Sequence, residues 1–163
     1  MVLCGLFSAL LAICAWISIP VFQLTFTLQT FAVFLALFTL GGKWGTLTIG
    51  SYLLLGSVGL PVFSGFRGGL GALLGVTGGF LWGFLLTGIA YWALERVCKP
   101  LGICLGLAAC YLAGSIWYSF YAGNAGFGAA LLQCVLPYLL PDILKIALAQ
   151  YLAKRLRRQM VHT

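Results

Sequence analysis

The run FAVFLALFTL, Phe31 to Leu40, decides the fold. Strands of a membrane barrel alternate apolar and polar residues, and this run does not alternate. Its surroundings extend the point: no charged residue occurs in 1–42, 44–66, 68–94 or 100–141. Each of these runs exceeds the roughly 20 residues that cross a bilayer as a helix. Over all 163 residues the chain is 63% hydrophobic and 7% charged, with a mean hydropathy of +1.11. A soluble domain carries about 25% charged residues to wet its surface, so most of this surface must face lipid. Lipid offers backbone N–H and C=O no partners, which leaves helices or a closed barrel. The sequence therefore specifies an all-α integral membrane protein, in one transmembrane domain spanning 1–163.

The first 20 residues have no basic start and no small-x-small cleavage site followed by a polar domain, so they read as a retained helix. The six cysteines (4, 14, 98, 104, 110 and 134) form no CxxC pair, and the sole histidine is His162. Small buried hydrophobes are the expected role of these thiols, not metal ligation or disulfides. The net charge of +7 sits in short clusters beside apolar runs, which membrane topology explains better than nucleic acid does.

Apolar cores and their interruptions predict six spans, near 3–19, 26–41, 44–60, 79–95, 101–120 and 137–153. The stretch YAGNAGFGAALLQCVL, 121–136, is glycine-rich and short, and reads as a loop packed on protein. Six spans put both termini and the 2–3 and 4–5 connections on one side. That side collects Lys43, Arg96, Lys99, Lys154, Arg155, Arg157 and Arg158, seven of the nine cations, so both termini are expected in the cytoplasm. Three charges escape this explanation. Arg67 lies in the outer 3–4 connection, and Asp142 and Lys145 lie one to two turns below the outer start of span six.

A charge at mid-membrane costs about 2.5–3.5 kcal/mol on insertion scales, so such residues face protein or a wet cavity. Asp142 and Lys145 fall about 60° apart on one helix face and would neutralise each other; Asp142, after Pro141, also suits a helix start. Neither role needs Arg67. Together the three would form a ligand site in which the cations hold an anionic group and Asp142 accepts N–H donors, with arginine offering the bidentate geometry. TFTLQT adds Thr25, Thr27, Gln29 and Thr30 at the same end. Capping or hydration would account for the threonines, whereas Gln29, an amide beside apolar Leu28 and Phe31, is the stronger ligand candidate. The 3–4 connection carries seven glycines from Gly65 to Gly79. At about 20 residues it exceeds an ordinary turn and would suit a lid over a cavity.

These segments are also recognisable. TLQTFAVFLA, the stretch YLLLGSVGLPVFSGF with the glycines that follow it, and LPDILKIALA resemble the BioY family over essentially the whole chain. These are the biotin-binding S components of energy-coupling factor (ECF) transporters. The resemblance implies a six-transmembrane-helix bundle, with the Gly-rich outer loop between helices 3 and 4, that captures biotin at the outer side. It puts Asp142 and Lys145 on the span-six motif, Gln29 on the Leu-Gln motif, and Arg67 on the basic loop position. Val76 stands where the family has Pro and Phe80 where it has Tyr, which bears on loop stiffness and one hydroxyl contact.

Uptake against a gradient needs energy, yet the chain carries no GxxxxGK[ST] phosphate loop. The resemblance implies docking on a transmembrane coupling protein driven by two ATPase subunits, through a small-residue face on span one. Gly5/Ala9 and Ser8/Ala12 have that small-xxx-small spacing, which equally serves internal packing. Biotin would be substrate, with no cofactor. A transport component for another carboxylate-bearing vitamin is the alternative, because a carboxylate and N–H donors are widespread. An intramembrane enzyme would need an activated nucleophile or metal; His162 is terminal and no acid pair converges, so the chain is not read as an enzyme.

Overall fold

The structure, a computed structural model, describes residues 1–21, 24–121, 128 and 135–161. Six long helices carry it among the described residues: α1 (Val2–Trp16), α2 (Gln29–Leu40), α3 (Gly42–Ser57), α5 (Gly78–Leu94), α6 (Lys99–Tyr121) and α7 (Leu136–Val161). A short α4 (Leu70–Leu73) and a single 3₁₀ turn at Ser64–Phe66 interrupt the long connection between α3 and α5. Each predicted span thus has its helix. The glycine-rich stretch at 121–136, together with Cys134 and His162, lies largely outside the described residues.

One element departs from the sequence expectation. Span two was expected to begin at 26, but Leu24–Thr27 is a strand (β2) paired antiparallel with Ser18–Val21 (β1). The register pairs Ser18 with Thr27 and Ile19 with Phe26, and Leu28 N–H donates to Ile17 O at 3.2 Å to close the ladder into α2. Ile19, Thr25, Phe26 and Thr27 are β-branched or aromatic residues that suit a pleated surface. Thr25 and Thr27 therefore belong to a hairpin over the end of the bundle, not to the first turn of a helix.

Small residues let the helices meet. A Cβ at Gly106 would lie 2.9 Å from Thr87 Cα, and one at Gly83 would lie 2.6 Å from Cys110 Sγ. The α5 and α6 backbones approach that closely because neither glycine has a side chain. The Thr87 hydroxyl, buried in this seam, reaches both Gly83 O and Gly106 O at 2.9 Å. Between α2 and α3 a single residue makes the turn: Gly41, at φ +83°, donates its N–H to Leu37 O at 3.0 Å. That left-handed conformation strains residues with a Cβ. Leu11, Ala32, Leu37 and Ile49 fill the centre with no exposed surface.

The outside is the reverse of a soluble surface. Leu54, Leu86, Ile89, Leu105, Leu112, Ile116, Ile143 and Leu148 stand exposed along the helices, an apolar display rare on a water-soluble monomer. Lys99–Tyr121 is long and apolar enough to cross a membrane, and α1, α2 and α5 are shorter apolar helices. Among the described cysteines Cys14 and Cys110 are buried as expected, whereas Cys98 and Cys104 are exposed; the exposed pair sits where α6 begins and then faces outward.

The helices alternate in direction, and two ends result. At one end Gly42 N–H donates to Glu95 Oε2 at 2.7 Å and Arg157 Nε donates to Thr39 O at 3.0 Å. These bonds gather the α2–α3 turn, the α5–α6 turn and the end of α7, which carry the clustered cations. At the other end lie the hairpin, the glycine-rich connection and the start of α7.

Candidate functional site

At that second end the bundle encloses a cleft of about 850 Å³, mouth included. Its polar wall is built by residues far apart in sequence: Thr27 from β2, Gln29 and Thr30 from α2, and Asp142 and Lys145 from α7. Arg67 of the connection between α3 and α5 (the cover loop, residues 58–77) reaches it from the mouth. Phe80, Leu81 and Phe84 of α5 and Leu107 of α6 supply apolar lining. Apolar walls with a few placed polar groups are the usual form of a small-molecule site.

Asp142 and Lys145 are both buried, at 2% and 7% exposure, and form an ion pair at 2.9 Å. Lys145 Nζ donates three bonds: to Asp142 Oδ1 at 2.9 Å, to Thr30 Oγ1 at 2.8 Å and to Thr27 O at 2.8 Å. An ammonium has three N–H donors, so its capacity is filled. It also lies 4.1 Å from the centre of the Phe26 ring, within cation–π range. Asp142 Oδ1 accepts from Thr30 Oγ1 at 3.0 Å as well, and Oδ2 accepts from Tyr111 OH at 2.6 Å. A carboxylate offers about four lone-pair sites; three are used, and the one left is on Oδ2. Asp142 is thus no helix cap but the centre of a network joining α2, α6 and α7.

Gln29, 3% exposed, donates through Nε2 to Tyr52 OH at 2.9 Å, and Tyr52 OH donates to Val62 O at 2.9 Å. The amide therefore links the cleft to the cover loop. Arg67 is exposed at the rim and forms no ion pair among the described residues. Its carbonyl accepts from Phe63 N–H at 2.9 Å.

The cover loop is pinned on three sides. Gly69 N–H donates to Gly56 O at 2.7 Å, and the Phe63 ring lies edge-on to Tyr52, 5.5 Å between centroids. Trp16, at the end of α1, donates through Nε1 to Pro61 O at 2.9 Å and stacks on Phe66 at 5.0 Å. Phe66 holds φ +56°, unusual for a residue with a side chain. Gly68 is essential to this fold: a Cβ there would lie 2.8 Å from Gly59 O and 2.7 Å from the Leu60 carbonyl carbon.

Arg67, Asp142, Lys145, Gln29 and Thr27, all marked out by the sequence, thus border one cleft. Tyr111 was missed. A tyrosine in the apolar run of α6 carries no local signal, and its partner Asp142 is 31 residues away. The departures behave differently: Phe80 lines the cleft and packs its ring where a Cβ on Gly114 would intrude, whereas Val76 is exposed. On α1 the small residues split. Gly5 and Ala9 are exposed, but Ala12 is 6% exposed in the core and Ser8 donates to Thr48 O at 3.2 Å. Ala12 therefore serves packing within the bundle and is not on an open face.

An all-helical membrane fold with a charged small-molecule cleft at one end defines a class, that of membrane-embedded binding and transport proteins. The BioY family model matches residues 1–162, and the chain belongs to that family. It is 38% identical over 159 residues to the biotin transporter BioY of Thermotoga maritima, covering 94% of this chain and 93% of that one. It is 41% identical over 156 residues to a probable biotin transporter BioY of Pyrococcus horikoshii, at 95% and 94% coverage. Among solved structures, the S-component for biotin from an ECF-type ABC transporter superposes with a TM-score of 0.86 at 26% identity. That match covers 96% of this chain and 89% of the other.

Proposed function

We propose that this protein captures biotin at the outer side of the cell membrane and delivers it to the cytoplasm, as the substrate-binding subunit of an ECF-type transporter. The observation that carries the reading is the meeting of Arg67, Asp142 and Lys145 in one cleft of a BioY-family fold. Biotin presents a carboxylate at one end and ureido N–H donors at the other. Arg67, without an ion-pair partner among the described residues, is the cation free to take the carboxylate bidentately. Lys145 adds positive charge, and its bonds to Thr27 O and Thr30 Oγ1 are those a ligand oxygen would replace. The remaining lone pair on Asp142 Oδ2 suits a ureido N–H, and Gln29 adds a further amide. The apolar wall of Phe80, Leu81 and Phe84 suits the thioether ring and alkyl chain.

The whole chain acts as one multi-pass membrane domain, with the seven-cation end and both termini in the cytoplasm. A transmembrane coupling protein and two ATPase subunits supply the energy, the coupling protein docking at the exposed Gly5 and Ala9 on α1. The test is calorimetry on the purified protein in neutral detergent. Biotin should bind one-to-one, with desthiobiotin close to it and biotin methyl ester far weaker. Heat with a different carboxylate-bearing vitamin and none with biotin would overturn the substrate assignment.

A further inference from the structure

A second cavity opens at the opposite end of the bundle, about 710 Å³ with its open mouth included. α6 packs against α5 and α7 against α2, with little packing between α6 and α7 themselves. Near the outer end the Tyr111–Asp142 hydrogen bond links these two helices; toward the other end the cavity lies between them. Phe38, Tyr91, Ile103 and Ile146 line its depth, and Lys99, Lys154 and Arg157 stand on its walls. Arg157 is oriented: its Nε is tied to Thr39 O at 3.0 Å, which leaves the terminal guanidinium nitrogens for another acceptor. Glu95, the nearby acid, has its carboxylate at the Gly42 amide, and no ion pair neutralises the three cations among the described residues. Apart from those cations and Gln150, the residues that α6 and α7 contribute are Pro100, Ile103, Cys104, Ile146 and Ala153, an apolar lining.

We infer that this groove binds an anionic phospholipid of the adjacent leaflet, with its phosphate on Lys99, Lys154 and Arg157 and an acyl chain along the apolar wall between α6 and α7. The topology rule explains why cations gather at this end, but not why three meet on one cavity while Lys43, Arg96, Arg155 and Arg158 do not line it. A phosphate within reach of two or three cations, above apolar walls that open to lipid, is the chemistry by which helix bundles hold anionic headgroups. Arginine and lysine divide the work: a fixed planar fork from Arg157 and two mobile point charges.

Native mass spectrometry of the purified protein, titrated with phosphatidylglycerol and separately with phosphatidylcholine of the same chains, tests this. One phosphatidylglycerol should bind with at least about tenfold preference, a difference of about 1.4 kcal/mol. The triple variant Lys99→Gln/Lys154→Gln/Arg157→Gln should lose the preference, and the double Lys99→Gln/Lys154→Gln should lose most of it. A control that removes equal charge elsewhere, Lys43→Gln/Arg155→Gln/Arg158→Gln, should keep it. Biotin binding measured in parallel reports on the fold of each variant and on the outer cleft independently. Equal loss in both triple variants would overturn the inference, because diffuse attraction would then account for binding. Displacement of the lipid by millimolar inorganic phosphate or glycerophosphoglycerol would also overturn it, since the site would then be one for a free anion.

Discussion

Replacing Asp142 by asparagine keeps the shape of the side chain and removes its charge. The asparagine oxygen can still accept from Thr30 Oγ1 and Lys145 Nζ, which lie 3.0 and 2.9 Å from Oδ1 in the present structure. Its NH₂ group would replace Oδ2, so the contact with Tyr111 OH at 2.6 Å reverses direction. The lone pair left on Oδ2 vanishes, and with it the acceptor proposed for a ligand N–H. A hydrogen bond to a charged group is worth about 1.5–3 kcal/mol, so the affinity for biotin should fall about ten- to 150-fold. Stability is a separate matter, since Lys145 then stays buried without a counter-charge. Removing one member of a buried pair costs up to about 3–5 kcal/mol, whereas replacing both with apolar residues is often neutral. The variant Asp142→Leu/Lys145→Met should therefore unfold near the wild-type temperature yet bind no measurable biotin. Calorimetry gives the affinities and a thermal scan in detergent the stabilities. Asp142→Asn with a Kd within twofold of wild type would refute this reasoning and move the N–H acceptor elsewhere.

Tyr111→Phe removes the donor to Asp142 Oδ2 and should weaken biotin binding about three- to tenfold, near 1 kcal/mol for one hydrogen bond; calorimetry checks it. Gly68→Ala forces a methyl group against the Leu60 carbonyl and should loosen the cover loop, speeding biotin dissociation in a filter-binding chase more than it slows association. A cysteine appended after Thr163 in a cysteine-free background should react with an impermeant maleimide only once the cells are opened. Labelling of intact cells would invert the orientation.

Much of the lining of the candidate site was legible because charge is scarce. In a chain with two acidic residues, an aspartate and lysine within an apolar helix are expensive enough to demand a joint purpose, and the topology count isolated Arg67 in the same way. The six helices were legible through apolar cores of membrane-spanning length and the short polar or glycine-rich breaks between them. The β1–β2 hairpin was not: strands of four residues are too short for periodicity to tell them from the end of an apolar helix. Tyr111 was hidden for a related reason, since its importance lies in a long-range partner. Spacing also failed to orient α1. Gly5, Ser8, Ala9 and Ala12 satisfy one pattern, yet the packing of α1 on α2 and α3 divides them between core and surface.

The filled valence of Lys145 has a thermodynamic corollary. A cation with three acceptors and an aromatic face beneath it is solvated by protein in place of water, so its burial inside the bilayer calls for no further partner. In the proposed mode of binding, arrival of a guest would be an exchange of equivalents, oxygen for oxygen, and the measured affinity would report only the difference between the two sets. Departure would be eased by the same symmetry, because the internal partners that gave way would be regained.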